Sequence, residues 1–211
     1  MERRFKQPNH GYTLVEMIIV IAIIAVVSAV STVSITIINS ARCKDAALTF
    51  DSEVGELQLK CKDMGGKSTP LTDVNGTIYN YKISYKDSTG ASKSADGYCY
   101  RICVENGVYV IKHGYYTVDS STGNLTTVFP NADDETKLSS RVVVKYKFVP
   151  SIAKDTAPEG DFVTVNGTGV DVCFNYAGQC ISGYGVYGFY KKNGNMVAKD
   201  YVRFNGSHQS R

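Results

Sequence analysis

Between Glu16 and Arg42 the chain carries 25 consecutive residues, Met17 to Ala41, without a formal charge. Nothing else in the sequence constrains the fold so tightly. As an α-helix rising about 1.5 Å per residue, the run is roughly 37 Å long, enough to cross a hydrocarbon core of about 30 Å. The sequence therefore predicts a membrane-inserted helix close to its amino end. Arg3, Arg4 and Lys6 precede that helix against Glu2 alone, so the positive-inside rule keeps residues 1–11 cytoplasmic and places the chain beyond the helix outside.

Past Arg42 the apolar residues become periodic. Cys43, Ala47, Phe50, Val54, Leu57, Cys61 and Met64 recur at alternating spacings of four and three, with Lys44, Asp45, Asp51, Glu53, Glu56, Lys60, Lys62 and Asp63 between them. This pattern predicts an amphipathic helix with one apolar stripe. Gly65-Gly66 marks its end. If continuous from Tyr12 to Met64, the helix is roughly 80 Å long. The stripe contains Ala and Cys rather than a steady Leu or Ile seam, so it is expected to pack on the chain's own head rather than in a coiled coil.

Residues 67–211 are enough for one core and read as strands. Tyr79, Tyr81, Ile83 and Tyr85 alternate with polar residues, as do Tyr98, Tyr100, Ile102 and Val104 with Cys99, Arg101 and Cys103. Glu105-Asn106-Gly107 turns the second of these into Val108–Ile111. A further hairpin is expected from Tyr115–Val118 to Leu125–Phe129. Val142, Val144, Tyr146 and Phe148 share a face, and later strands are expected at Phe162–Val165, Val170–Phe174, Tyr184–Tyr190 and Met196–Phe204. Pro130–Ser140 and Pro150–Gly160 read as surface loops by composition. The expected fold class is α+β: a long amino-terminal helix followed by a predominantly antiparallel head. The expected segments are 1–11 (leader), 12–41 (apolar half of the helix), 42–66 (amphipathic half) and 67–211 (head).

The segment before the apolar run carries a recognisable pattern. Gly11-Tyr12-Thr13-Leu14-Val15-Glu16 followed by a long apolar helix resembles the processing site of type IV prepilins and type II secretion pseudopilins. The resemblance implies cleavage after Gly11 by a prepilin peptidase, methylation of the new amino terminus at Tyr12, and a role for Glu16 in assembly with other pilin or pseudopilin subunits. It implies a single-pass membrane protein that ends in an extracellular or periplasmic filament, and a structural subunit rather than an enzyme. Tyr12 stands where the family usually has Phe, and Val33 where many major pilins have Pro, so a minor or divergent subunit fits as well. Phe174 to Gly178 together with Gly194 to Arg203 weakly resembles the carboxyl-terminal module of H-type minor pseudopilins. An acidic residue bordering a membrane span wants a partner, and an amine exposed at Tyr12 would supply one for the Glu16 of a neighbouring subunit. Two other readings stay open: a binding module released by signal peptidase near Ser31, and a membrane-anchored adhesin that never polymerises.

Six cysteines in an exported chain point to an oxidising compartment. Cys43 and Cys61 on one helix are too far apart to pair, as are Cys99 and Cys103 in one strand. Cys173 and Cys180 flank a plausible turn, which makes their bridge the expected local disulfide. Cys61 is a further candidate to reach Cys99 or Cys103. The cysteines lack metal-ligand spacing with His113 or His208, and no nucleophile–base pattern or phosphate-cradling loop is present, so no catalysis, metal or other cofactor is expected. The net charge of +3 does not call for a polyanionic partner. Arg141, Lys145 and Lys147 share one face of a strand and could meet DNA phosphates, but a solvated sheet surface accounts for them, which leaves nucleic acid a secondary possibility. Asn75-Gly76-Thr77, Asn124-Leu125-Thr126, Asn166-Gly167-Thr168 and Asn205-Gly206-Ser207 match the glycosylation pattern, and at least three of them read as turns.

Overall fold

The computed structural model describes residues 12–65, 71–72, 78–79, 82–119, 121–131, 134–149 and 161–210. Gly11, Gly66, the Asn75-Gly76-Thr77 turn, Tyr81 and the Pro150–Gly160 loop lie outside these residues. The chain divides into two units, Met1–Ile38 and Asn39–Arg211.

Within the first unit lies the apolar part of helix α1 (Leu14–Gly65). Its most apolar 18-residue window has a mean hydropathy of 2.8, and none of that window is buried by the chain itself. The few hydroxyls are satisfied locally: Ser31 Oγ donates to the Val27 carbonyl at 2.8 Å and Ser34 Oγ to that of Val30 at 3.0 Å. This back-bonding removes the main cost of placing serine in hydrocarbon. With Val33 rather than Pro at its centre, this stretch keeps its helical ladder.

The second unit contains the amphipathic part of α1 and fifteen described strands. They are β1 (Leu71–Thr72), β2 (Ile78–Tyr79), β3 (Ile83–Lys86), β4 (Ser92–Ala95), β5 (Gly97–Glu105), β6 (Val108–Val118), β7 (Leu125–Val128) and β8 (Glu135–Lys137). There follow β9 (Val142–Phe148), β10 (Val163–Thr164), β11 (Val170–Phe174), β12 (Cys180–Ser182), β13 (Gly185–Lys191), β14 (Met196–Val202) and β15 (His208–Ser210). One sheet has the order β12-β11-β5-β6-β7, with β8 also on β6; another has the order β10-β9-β13-β14-β15. β1-β2 and β3-β4 are small separate ribbons. Every described pairing is antiparallel.

The expected stripe is the helix's buried face. Cys43, Ala47, Phe50, Val54, Leu57, Cys61 and Met64 are all buried, and all but Met64 join one core with residues of both large sheets. Phe50 sits at its centre, its ring centroid 4.5 Å from that of Tyr187 and 5.9 Å from that of Phe189. Hydrogen bonds hold the same helix face at its margins. Gln58 Nε2 donates to the carbonyls of Gly178 and Gly206, at 2.8 and 2.7 Å.

The hairpin expected at Asn106-Gly107 forms, with φ of 50° and 76° at the two residues. Both lie in the left-handed region that a two-residue turn of matching twist requires. It joins two long strands paired from Gly97↔Tyr116 to Glu105↔Val108. Asn166 and Asn205 accept amide hydrogens two residues on, as turn-forming Asn does.

Three expectations are corrected. Pro130–Ser140 is not wholly a surface loop: β8 lies within it and pairs with β6, and Leu138 is buried in the core. Loop-forming composition is overridden here by an open edge on β6 and an apolar side chain. Phe148 is exposed despite its alternation with buried Val142 and Val144, because it ends β9 beyond the core and rests on the Tyr184 ring at 5.2 Å. Phe204 lies not in a strand but in the turn after β14.

Candidate processing and assembly site

Helix α1 begins at Leu14, two residues later than the sequence suggests, because Thr13 caps it. The Thr13 hydroxyl accepts the Glu16 amide at 3.2 Å, and Glu16 Oε2 accepts both the Thr13 amide at 2.8 Å and the Thr13 hydroxyl at 2.9 Å. This reciprocal arrangement is a capping box, signalled by a Thr-x-x-Glu spacing that sequence reasoning missed. Tyr12 precedes the helix and is 81% exposed. The backbone at Tyr12-Thr13 is therefore non-helical. Gly11 is outside the described residues.

From Leu14 to Ile38 the large apolar side chains are exposed, Leu14, Val15, Ile18, Ile19, Ile21, Ile23, Ile24, Val26 and Val27 among them. A continuous apolar surface of this extent is not stable in water. It needs lipid or other apolar helices around it, and the carboxylate at its start needs a cap or a cation.

Two histidines of the head bind carboxylates of α1. His113 places Nε2 3.1 Å from Glu53 Oε2 and Nδ1 2.8 Å from Asp134 Oδ1. Two carboxylates require two donors, so the ring carries both protons. Its pKa is raised above the ordinary 6.5, first by the Glu53 hydrogen bond, and that of Glu53 is lowered below 4.5, first by the His113 hydrogen bond. The His113 contribution is lost as pH rises through its elevated pKa, and the Glu53 contribution as pH falls through its depressed one. The pair therefore stabilises most between about pH 4.5 and 6.5. His113→Gln should cost about 1–3 kcal/mol in that window and less at pH 9, measured by urea unfolding. An equal loss at both pH values would remove the charge from the explanation.

On the other side of the helix His208 Nδ1 lies 2.6 Å from Asp51 Oδ1. The fully buried Asp200 lies beside Asp51, whose negative charge, after burial itself, raises the Asp200 pKa to about 8. The amides of Tyr201 and Gln209 approach Asp200 without completing a well-formed bond to either carboxylate oxygen. Among the described residues no group of three or more His, Cys, Asp or Glu is arranged to hold a metal ion.

The expected Cys173–Cys180 bridge is absent, and all six cysteines are unbridged in this structure. The physical reason is the pleat. Cys180 opposes Phe174 across the β11–β12 pair and joins the helix-side core, whereas Cys173, one residue earlier, belongs to a small cluster with Cys99 and Tyr116. Cys61 points its thiol at the Tyr98 carbonyl, 3.8 Å away. Arg141 lies just before β9, and Lys145 Nζ lies over the Tyr190 ring at 4.6 Å.

Residues 6–32 match the family model described as the prokaryotic N-terminal methylation motif, the type IV prepilin-like signature. The match spans Gly11, Tyr12 and Glu16 together with the apolar run as far as Thr32. Neither the curated proteins nor the solved structures contain a match to the chain.

Proposed function

We propose that this chain is a structural subunit of a type IV pilus or type II secretion pseudopilus. A membrane-bound prepilin peptidase cleaves it after Gly11, Tyr12 is methylated, and the apolar half of α1 assembles with other pilin or pseudopilin subunits. The observation that carries this reading is the coincidence of the methylation motif with a helix whose apolar surface the chain itself leaves bare. A peptidase acting near Ser31 would have to unwind that helix, which weakens the alternative of a released module.

Glu16 gives the assembly its register. Before processing, its carboxylate is occupied by the Thr13 cap, which lets the precursor rest in the membrane without an unpaired charge. Cleavage creates an ammonium at Tyr12. In the filament Glu16 exchanges its neutral local donors for the ammonium of a neighbour, which adds a full opposite charge to a hydrogen bond that the carboxylate already assists. The head then lies on the extracytoplasmic side and forms the filament's outer surface.

Mass analysis of the mature amino terminus tests this reading, and methylated Tyr12 is the expected result. A start near Thr32 or an intact leader would each rule it out. Glu16→Ala should leave membrane insertion unchanged while lowering filament incorporation tenfold or more, a loss of about 1.4 kcal/mol. Parental incorporation of this variant would dispose of the pairing.

A further inference from the structure

We propose that Cys99 and Cys173 close a disulfide between β5 and β11. They are direct partners in the antiparallel register, next to the pair Val172↔Tyr100, and both are fully buried. Directly opposite residues in such a ladder have Cα atoms about 4.5–5.5 Å apart, inside the range a disulfide spans. The Cys99 thiol is the neighbour that most raises the pKa of Cys173. On its other side Cys99 faces Gly114 of β6, where a Cβ would collide with the Val128 carbonyl and the Phe129 ring. Cys173 is thus the cross-strand side chain that Cys99 meets.

The other four cysteines have no such partner opposite them. Cys103 faces Val110, Cys180 faces Phe174, and Cys43 and Cys61 lie on α1. The register singles out one pair from the many that six cysteines allow.

Closure is an exchange with an external disulfide, from a small thiol couple or a disulfide oxidoreductase. One thiolate attacks it, forming a mixed disulfide and releasing one thiol. The second cysteine then attacks the mixed disulfide and releases the other. The pair loses two electrons and two protons, and the external disulfide becomes two thiols. In the finished fold this exchange is blocked. Tyr116, Phe129, Leu125 and Ile181 pack around the pair, and the pKa of Cys173 is raised, first by the neighbouring Cys99 thiol and then by burial. The bond therefore forms as β11 pairs with β5 and before the side chains around the two sulfurs close, and the fold then protects it.

In cells the bond requires the head to lie on the oxidising side, so that part rests on the proposed function. The test separates the two. The full-length chain in detergent is unfolded, reduced, and refolded in a mixture of reduced and oxidised glutathione. It is then denatured without reductant, alkylated, and digested with trypsin and chymotrypsin. Trypsin cuts after Arg101, parting Cys99 from Cys103, and chymotrypsin cuts after Phe174, parting Cys173 from Cys180. The expected product is a cross-linked Cys99–Cys173 peptide, present also in Cys180→Ser and missing from Cys99→Ser. The oxidised chain should melt about 10 °C above the reduced one, because the bond closes a long loop.

Alkylation of both Cys99 and Cys173, or a Cys173–Cys180 peptide, overturns the pairing. A cross-link in refolded protein that is missing from protein isolated from its own membrane overturns instead the extracytoplasmic placement of the head.

Discussion

Asp200→Asn should abolish a decline in stability that the parent chain shows between about pH 4 and pH 8. Asp200 is fully buried on β14, and its pKa is raised to about 8, by burial first and then by the neighbouring Asp51. An acid whose folded pKa lies above its unfolded value holds its proton longer in the native state. Its favourable share is present in full below the unfolded pKa and is lost as pH rises through the folded one. The interval is about four units at roughly 1.4 kcal/mol each, so about 3–6 kcal/mol is at stake. Asparagine keeps the shape, needs no ionisation, and can still donate toward Asp51. Parent and variant should unfold at similar urea concentrations at pH 4, while at pH 9 the variant should be the more stable by that amount. Parallel profiles would mean that Asp200 ionises in the native state without penalty.

The groups facing Asp200 explain why the effect is large. Asp51 approaches it from α1, His208 binds Asp51 from β15, and the nearby amides of Tyr201 and Gln209 compensate only in part. Raising the pH places a second negative charge beside Asp51 at the seam between the helix and the last two strands. The release of β15 is accordingly the expected first step of alkaline unfolding.

Phe50→Ala is expected to cost about 3–5 kcal/mol. The ring is 1% exposed and touches Tyr187 and Phe189 of β13, both completely buried. Its loss leaves a hole between a helix and a sheet, neither of which can move inward, since the neighbouring turns of α1 are held by Ala47, Val54 and Leu57. Tyrosine fluorescence during urea unfolding measures this directly. The amino-terminal processing of the variant should be unaffected, which separates loss of the head from loss of the assembly handle. A cost below about 1 kcal/mol would show that α1 contributes little to the head's core.

The apolar stripe of α1 and the Asn106-Gly107 hairpin were both legible, because each follows from a short period or from a dihedral preference that acts over a few residues. The Thr13–Glu16 cap was equally local, and its Thr-x-x-Glu spacing could have been read in advance. β8 was not legible: Glu135, Thr136 and Lys137 have no strand pattern of their own and pair because β6 offers an open edge. The partners of the cysteines were hidden for a related reason. Distance along the chain favoured Cys173 with Cys180, while the pleat put those two thiols on different cores and brought Cys99 opposite Cys173.

From its own order of residues the chain determines an apolar helix, a processing motif ahead of it, and an amphipathic continuation that needs a sheet to cover it. These depend on hydrophobicity and spacing within one element, which no distant contact can reverse. The tertiary structure alone decides that Asp200 is a buried acid, that His113 links two carboxylates, and which thiols face each other. Each of those outcomes depends on strand register, and register is set by the sum of many contacts between residues far apart in the chain.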